Sequence, residues 1–235
     1  MTTHVVCLSG GKDSTAMALK LAEAEPRDYQ YIITPTGDEL PTMKDHWHRL
    51  EAMLEKPLTV VSPKYGLAGL MREHRALPNF RMRFCTRSLK IIPYQAWLMK
   101  RLPAVSYVGL RADEEGRAGI EWDDPRITNR YPLREWGWGI DEVLWYLKDR
   151  HVKIPARTDC ARCYAQTLHE WWLLRHDYPL IWESAIADED RTGHTFRSEK
   201  RDTWPASLRE LGQAFDIRGE PKQRKRGGGC RICSL

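Results

Sequence analysis

Two rhythms of apolar and polar positions run through the first 110 residues. Val5-Val6-Cys7-Leu8 is a short unbroken apolar run, and Ala16, Leu19 and Leu21–Ala22 follow at helical spacing. Tyr31-Ile32-Ile33 is a second buried strand. Thr42 then offers an N-cap, and Met43, Trp47, Leu50 and Leu54 keep one apolar helical face. Leu58 to Val61 and Val105 to Gly109 predict two more strands, with a helix from Leu89 to Met99 interrupted or started near Pro93. Strands alternating with helices predict an α/β fold, a parallel twisted sheet with helices on both faces. From about residue 140 the strand pattern stops. Ile140, Val143, Leu144 and Leu147 mark a helix closed by Pro155, and residues 166–176 and 178–188 read as helices too. The expected division is an α/β unit over 1–150 and a mainly helical C-terminal region over 151–235. No internal repeat is present, and Lys222 to Gly229 is a basic, glycine-rich linker.

Between the first strand and the first helix stands Ser9-Gly10-Gly11-Lys12-Asp13-Ser14. Two glycines permit positive φ and a close approach of the main chain to a ligand. Backbone N–H groups at a helix start, two hydroxyls and the Lys12 ammonium then converge on an anion. The spacing excludes a G-x-x-x-x-G-K-[ST] loop. Lys12 is expected to screen a departing pyrophosphate, with Ser9, Gly10, Gly11 and Ser14 cradling it. Asp13 reads either as a holder of Mg²⁺ through water or as a helix cap. Ligands of such sheets bind beyond the carboxyl ends of the strands, where this loop falls.

Composition narrows the classes. Ten tryptophans and 42% hydrophobic residues in 235 describe a folded chain. No apolar run approaches the roughly 18–20 residues that span a bilayer, and no secretory leader is read. With six cysteines, this predicts a cytoplasmic protein whose thiols stay reduced and no membrane partner. Cys160-Ala161-Arg162-Cys163 and Cys230-Arg231-Ile232-Cys233 form two CxxC pairs separated by 66 residues. Together they complete a four-thiolate shell for a metal, which would clip the tail onto the body; a redox dithiol is the alternative. Cys7 reads as a small buried residue. His46, His48, His169, His176 and His194 read as solvated or structural, and Trp171, Trp172 and Trp182 as core. The net charge of +5, with Lys222, Arg224, Lys225 and Arg226 in the tail, leaves a nucleic-acid-binding adaptor as a reading of another class.

The loop resembles the S-G-G-x-D-S segment of the PP-loop ATP pyrophosphatases and the adenylyl-sulfate reductases. Four further segments are similar to the phosphoadenylyl-sulfate reductase family: Thr36-Gly37-Asp38-Glu39-Leu40-Pro41, Arg83 to Pro93 with Cys85-Thr86, Gly109 to Arg117, and Pro132-Leu133 to Leu147. The resemblance implies the adenine nucleotide alpha hydrolase-like fold and binding of ATP or an adenylyl sulfate. It implies that Asp38 and Glu39 position adenosine or a metal, unless they are plain turn residues. It also implies that Arg83, Arg87, Lys90, Arg111 and Arg117 meet a phosphate- or sulfate-bearing substrate. In that family Cys85 and the first CxxC serve a [4Fe–4S] cluster, so Cys85 is either a ligand or a sulfur carrier, and the metal is zinc or iron–sulfur. Two departures matter. The family's C-terminal E-C-G-x-H segment is replaced by Cys230-Arg231-Ile232-Cys233-Ser234-Leu235, and its double cysteine is only Cys85-Thr86. Both point from sulfate reduction toward members that cleave ATP to AMP and pyrophosphate and transfer sulfur. The implied partners are a nucleotide, an acceptor such as a nucleic acid or nucleobase, a sulfur donor or thioredoxin-like protein, and a second copy in a homodimer. The alternative enzyme is a thiol-dependent phosphoadenylyl-sulfate reductase using Cys230 or Cys233.

Overall fold

Alternate residues of the first strand point to opposite faces of one sheet, and each face has its own core. Val6 and Leu8 join one cluster, while Val5 and Cys7 join another. The computed structural model describes residues 1–223. Five strands form the sheet: β1 (Thr3–Cys7), β2 (Tyr29–Ile33), β3 (Leu58–Val60), β4 (Ala104–Tyr107) and β5 (Ile127–Arg130). All neighbours pair in parallel, in the order β3-β2-β1-β4-β5. The helices are α1 (Lys12–Ala24), α2 (Pro41–Leu54), α3 (Gly66–His74), α4 (Phe84–Thr86), α5 (Ile92–Leu98), α6 (Pro132–Glu135), α7 (Ile140–Asp149), α8 (Leu168–Asp177), α9 (Pro179–Thr192) and α10 (Leu208–Arg218). A π-helical turn, Arg87–Ile91, joins α4 to α5.

One face of the sheet packs Val6, Tyr31, Ile33 and Tyr107 against Ala16, Met17 and Leu21 of α1 and Val143, Tyr146 and Leu147 of α7. The other face sets Val5, Ile32, Ala104 and Ile127 against Tyr94 and Leu98 of α5. A third core, away from the strands, gathers Leu67, Leu70 and Met71 of α3 with Trp171, Trp182, Leu211 and Phe215. Each fully buried side chain of this size contributes roughly 1.5–3 kcal/mol. Trp171 and Trp182 are thus core residues, as their setting in an apolar run predicts. None of the described helices is long and apolar enough to cross a membrane.

Four differences from the sequence reading have local causes. The cap of α2 is Leu40, not Thr42, because Pro41 takes the first helical position, where its missing N–H costs nothing. Strand β5 is a short edge strand, Ile-Thr-Asn-Arg, whose apolar content is a single Ile127. Helix α3 begins after Tyr65 at a glycine and offers only nine residues of pattern. Helix α10 is capped by the Ser207 hydroxyl on the Glu210 N–H and buries Leu208, Leu211 and Phe215.

Candidate active site

Strand order reverses at β1, whose two neighbours are β2 and β4, and the loops leaving β1 and β4 diverge there. A cleft of about 370 Å³ opens at that point, within the range of small-molecule sites. Its walls include Ser9, Gly11, Lys12, Asp13, Ser14, Glu39, Lys90, Gly109, Arg117 and Cys160.

The Ser9–Ser14 loop is wired by its own hydroxyls. Ser14 Oγ lies 3.0 Å from Ser9 Oγ and donates to the Gly11 carbonyl at 3.2 Å, while the Gly11 N–H donates to Ser9 Oγ at 3.2 Å. Gly11 caps α1 with no side-chain acceptor, so the first-turn N–H groups have no cap from that residue, the arrangement in which a helix N-terminus can take an anion. Asp13 therefore stands in the first turn and is not the cap. Gly10 has φ +79°, and a Cβ there would meet Met43 Cε at 2.7 Å and Trp47 Nε1 at 2.8 Å. Beneath it, burial and Arg49 pull the His46 imidazole down to about 4, keeping it neutral against the Gly10 backbone. His46 is structural.

Asp13 carries two relationships. Its Oδ2 accepts from Arg111 Nη1 at 3.0 Å and lies 3.5 Å from Lys12 Nζ. Its Oδ1 is buried with no hydrogen-bond partner among the described residues. Arg111 is buried beneath the loop after β4, also bonded to Asp113 at 2.7 Å. Burial works against its charge, but the hydrogen bond to Asp113 and the field of Asp13 outweigh it and raise its pKa. Arg117 lines the cleft and pairs with Glu114 at 2.6 Å. The loop holding both is fixed by Arg134, whose guanidinium donates to the carbonyls of Arg111, Glu114 and Arg117. Sequence reasoning missed Arg134; its place beside Pro132-Leu133 was the only signal.

Asp38 and Glu39 are both bonded into the framework, and Glu39 also lines the cleft. The Glu39 carboxylate accepts from Thr36 N at 2.6 Å, Thr36 Oγ1 at 2.7 Å and Gly37 N at 3.0 Å, closing the turn after β2. Asp38 is buried and accepts from Arg162 Nε at 2.7 Å and from the Arg162 N–H at 2.9 Å. Arg162 also reaches Asp188 of α9. Burial opposes the Arg162 charge, and the two carboxylates overcome that and raise its pKa. This buried ion chain orients the Cys160–Cys163 turn, which also bridges Glu39 through Cys160.

Cys85, Cys160 and Cys163 line one small cavity, about 20 Å³, with Thr36, Pro78 and Arg162. Cys160 Sγ lies 3.1 Å from Thr36 Oγ1. Lys90, Asp159 and Cys160 belong to the walls of both this cavity and the cleft. The structure therefore brings together Cys85 and the first CxxC. Among the described residues no three His, Cys, Asp or Glu side chains are set to hold a metal ion. Cys230 and Cys233 lie outside the described residues. Arg83 is half-buried, and Arg87 is exposed and outside the cleft walls. Cys7 is buried in β1, and burial pushes its thiol pKa up. Trp47, Leu144, Ile154 and Pro155 supply apolar wall that sequence reading did not assign to the site.

The sequence profile of the phosphoadenosine phosphosulfate reductase domain matches residues 3–156, about two thirds of the chain. The chain belongs to that family. Its fold is similar to that of the phosphoadenylyl-sulfate reductase of Candida auris, with a TM-score of 0.52 and 17% identity over 66% of this chain and 75% of that one. A second similar structure is the U34-tRNA thiolase of Methanococcus maripaludis with its [4Fe-4S] cluster, with a TM-score of 0.49 and 17% identity over 96% and 84%. No characterised protein matches the chain by sequence. As a member of the phosphoadenosine phosphosulfate reductase domain family, the chain has a PP-loop α/β nucleotide fold.

Proposed function

We propose that this cytoplasmic enzyme binds ATP, or an adenylyl sulfate, on the Ser9–Ser14 loop and activates an acceptor by adenylation for sulfur transfer. The observation that carries the reading is the wall the two cavities share: Lys90, Asp159 and Cys160 line both the cleft that holds the Ser9–Ser14 loop and the small cavity that holds Cys85 and Cys163. An acceptor oxygen attacks the α-phosphorus, the bond to the bridging oxygen breaks, and pyrophosphate leaves with that electron pair. Lys12 and the α1 N–H groups offset the charge on the departing group, and Arg117 and Lys90 hold the remaining oxyanions. A hydrosulfide then attacks the activated carbon, and AMP leaves with the acceptor's former oxygen. Where the sulfur is the outer atom of a Cys85 persulfide, attack gives an acceptor–S–S–Cys85 disulfide. Two thiols of the thioredoxin-like partner reduce it to the thiolated acceptor and free Cys85, becoming a disulfide themselves.

Two cofactors fit the residues in different degrees. The partnerless, buried Asp13 Oδ1 suits Mg²⁺ held directly or through water, and the ion would add Lewis-acid polarisation of phosphate oxygens. The thiol donors of Cys160 and Cys163 have the softness that zinc or a [4Fe–4S] cluster requires, and the shell would need Cys230 and Cys233, or Cys85 and one of these, to complete it. On this reading Cys85 is the sulfur carrier when the two CxxC pairs close the metal site. On the same reading, residues 1–150 are the nucleotide unit, which carries Cys85, and the region from 151 to 235 contributes Cys160 and Cys163 to its edge.

The family match supports a second reading, thiol-dependent phosphoadenylyl-sulfate reduction with Cys230 or Cys233 as nucleophile and a thioredoxin-like reductant. Calorimetric titration with ATP and adenylyl sulfate, followed by assays for pyrophosphate and sulfite, separates the two. ATP binding with pyrophosphate release, reduced about 10²–10³-fold in Lys12→Ala, is the expected result. Sulfite released from phosphoadenylyl sulfate and lost on Cys230→Ser, Cys233→Ser replaces it by the reductase. No binding of either nucleotide, with Lys12→Ala like wild type, defeats both.

A further inference from the structure

Residues 72–90 hold Arg72, Arg75, Arg81, Arg83, Arg87 and Lys90 against one carboxylate, Glu73. That excess equals the +5 of the whole chain, so the rest is balanced overall. Several exposed or half-exposed arginines elsewhere are spent on carboxylates, among them Arg126 on Asp124, Arg130 on Glu25 and Glu135, Arg150 on Glu23, Arg175 on Asp216 and Arg209 on Asp190, while Arg101, Arg201 and Arg218 bond to backbone carbonyls. Arg72, Arg75, Arg81 and Arg87 are exposed, and none of them enters an ion pair among the described residues. Their field is directed outward.

The same segment displays apolar faces on a rigid frame. Leu77 and Pro78 are buried, and Asn79 Oδ1 accepts from the N–H groups of Arg81 and Met82, each at 2.9 Å. This turn presents Phe80 at 69% exposure and Met82 at 48%. The Arg81 guanidinium lies 5.4 Å from the Phe80 ring centre. Behind it, His74 stacks on Phe84 at 4.6 Å, tying the end of α3 to α4. Pro78, Cys85 and Lys90 of this segment line the thiol cavity.

We infer that residues 72–87 are a docking surface for single-stranded nucleic acid, which is the sulfur acceptor. The inference rests on the nucleotide-enzyme reading for its chemistry, but the surface itself does not. Unspent arginines match backbone phosphates, and an exposed aromatic ring beside a guanidinium is a stacking platform for a base. A strand lying across this surface passes the edge of the cavity that holds Cys85. An acidic peptide would satisfy the charges and leave Phe80 without a planar partner.

The test is fluorescence anisotropy of the full chain with labelled oligouridylate, oligodeoxythymidylate and a duplex, each about 16 nucleotides, over a range of salt. Both single strands should bind more tightly than the duplex, and the tighter of the two names the acceptor as RNA or DNA. Arg72→Ala, Arg75→Ala, Arg81→Ala should lower the salt slope by about 2, each phosphate left without its arginine accounting for roughly 0.7. Phe80→Ala should weaken binding about tenfold at unchanged slope. ATP titration of both variants should match wild type, which keeps this result independent of the nucleotide site. If ATP fails to bind while these oligonucleotide effects hold, the surface stands and the adenylation reading falls. Duplex binding equal to single-strand binding, an unchanged slope in the triple variant, loss confined to a variant of Lys222, Arg224, Lys225 and Arg226, or tighter binding to phosphatidylserine vesicles than to any oligonucleotide overturns it.

Discussion

The Ser9–Ser14 loop and the thiol corner meet at one cleft through Cys160 and are built on opposite plans. The loop is six consecutive residues whose hydroxyl bonds span two to five positions. The corner joins Cys85, Cys160 and Cys163 to the turn after β2, through bonds between residues 124 positions apart. The loop's geometry follows from strand, glycine and helix cap. The corner's geometry depends on buried charges, Asp38 and Asp188 around Arg162, in the layer beside α9. Local wiring holds the Ser9–Ser14 loop with little help from the rest of the fold. The Cys160–Cys163 turn is held by a long-range ionic framework, and the two ends should therefore fail separately.

The largest effect is expected at the corner. Arg162→Met leaves Asp38 buried without its cation and Asp188 with Arg191 alone, and breaking such a buried pair costs about 3–5 kcal/mol. Calorimetric melting should fall by on the order of 10 °C, and Cys160 and Cys163 should react faster with a thiol reagent. ATP affinity should change far less; a proportional loss would break the comparison. At the other end, Gly10→Ala forces a side chain into a positive-φ site already filled by Met43 and Trp47. A stability loss of about 1–3 kcal/mol is expected, with ATP affinity down at least about tenfold and thiol reactivity unchanged.

The smallest effect concerns pH. Glu189 of α9 accepts the N–H groups of Phe196 at 2.9 Å and Leu208 at 2.7 Å, holding the start of α10. Burial pushes its carboxyl up to about 7, against the pull of those donors. A carboxyl raised in the folded state favours the fold while protonated, and that contribution is lost as pH rises through about 7. Melting temperature should thus fall by a few degrees from pH 5 to pH 8, and Glu189→Gln should flatten the slope. ATP affinity of the two proteins should run parallel over the same range, sharpening the separation between helical layer and phosphate loop.

Legibility in the sequence followed the same division. Four strands, α1, α2 and the Ser9–Ser14 loop could be read because each carries its period or its glycines within about 15 residues. The pairing of Asp38 with Arg162 could not, since a charged residue in a loop carries no mark of the partner that buries it. Nor does the sequence show that Arg111, which the resemblance sets toward a substrate, is buried under the loop and paired with Asp13. Helix α10 had its signal in Leu208, Leu211 and Phe215, three residues of ordinary helical spacing. Strand β5 had almost none, being an edge strand in which Ile127 is followed by three polar residues. What the segments reveal one at a time is their own shape; which of them meet is decided by packing.

The π-helical turn Arg87–Ile91 stores one surplus residue between two anchored pieces of helix. Tyr94 and Leu98 seat the later piece against the sheet, and Leu89 faces the other core. An α-helix turns about 100° per residue. Deleting one position here would therefore rotate everything before it by that angle relative to α5, carrying the Cys85 sulfur around the helix axis and off its cavity. That single residue acts as a phase setting: it fixes the direction in which the thiol points while leaving the pairing of the sheet in register.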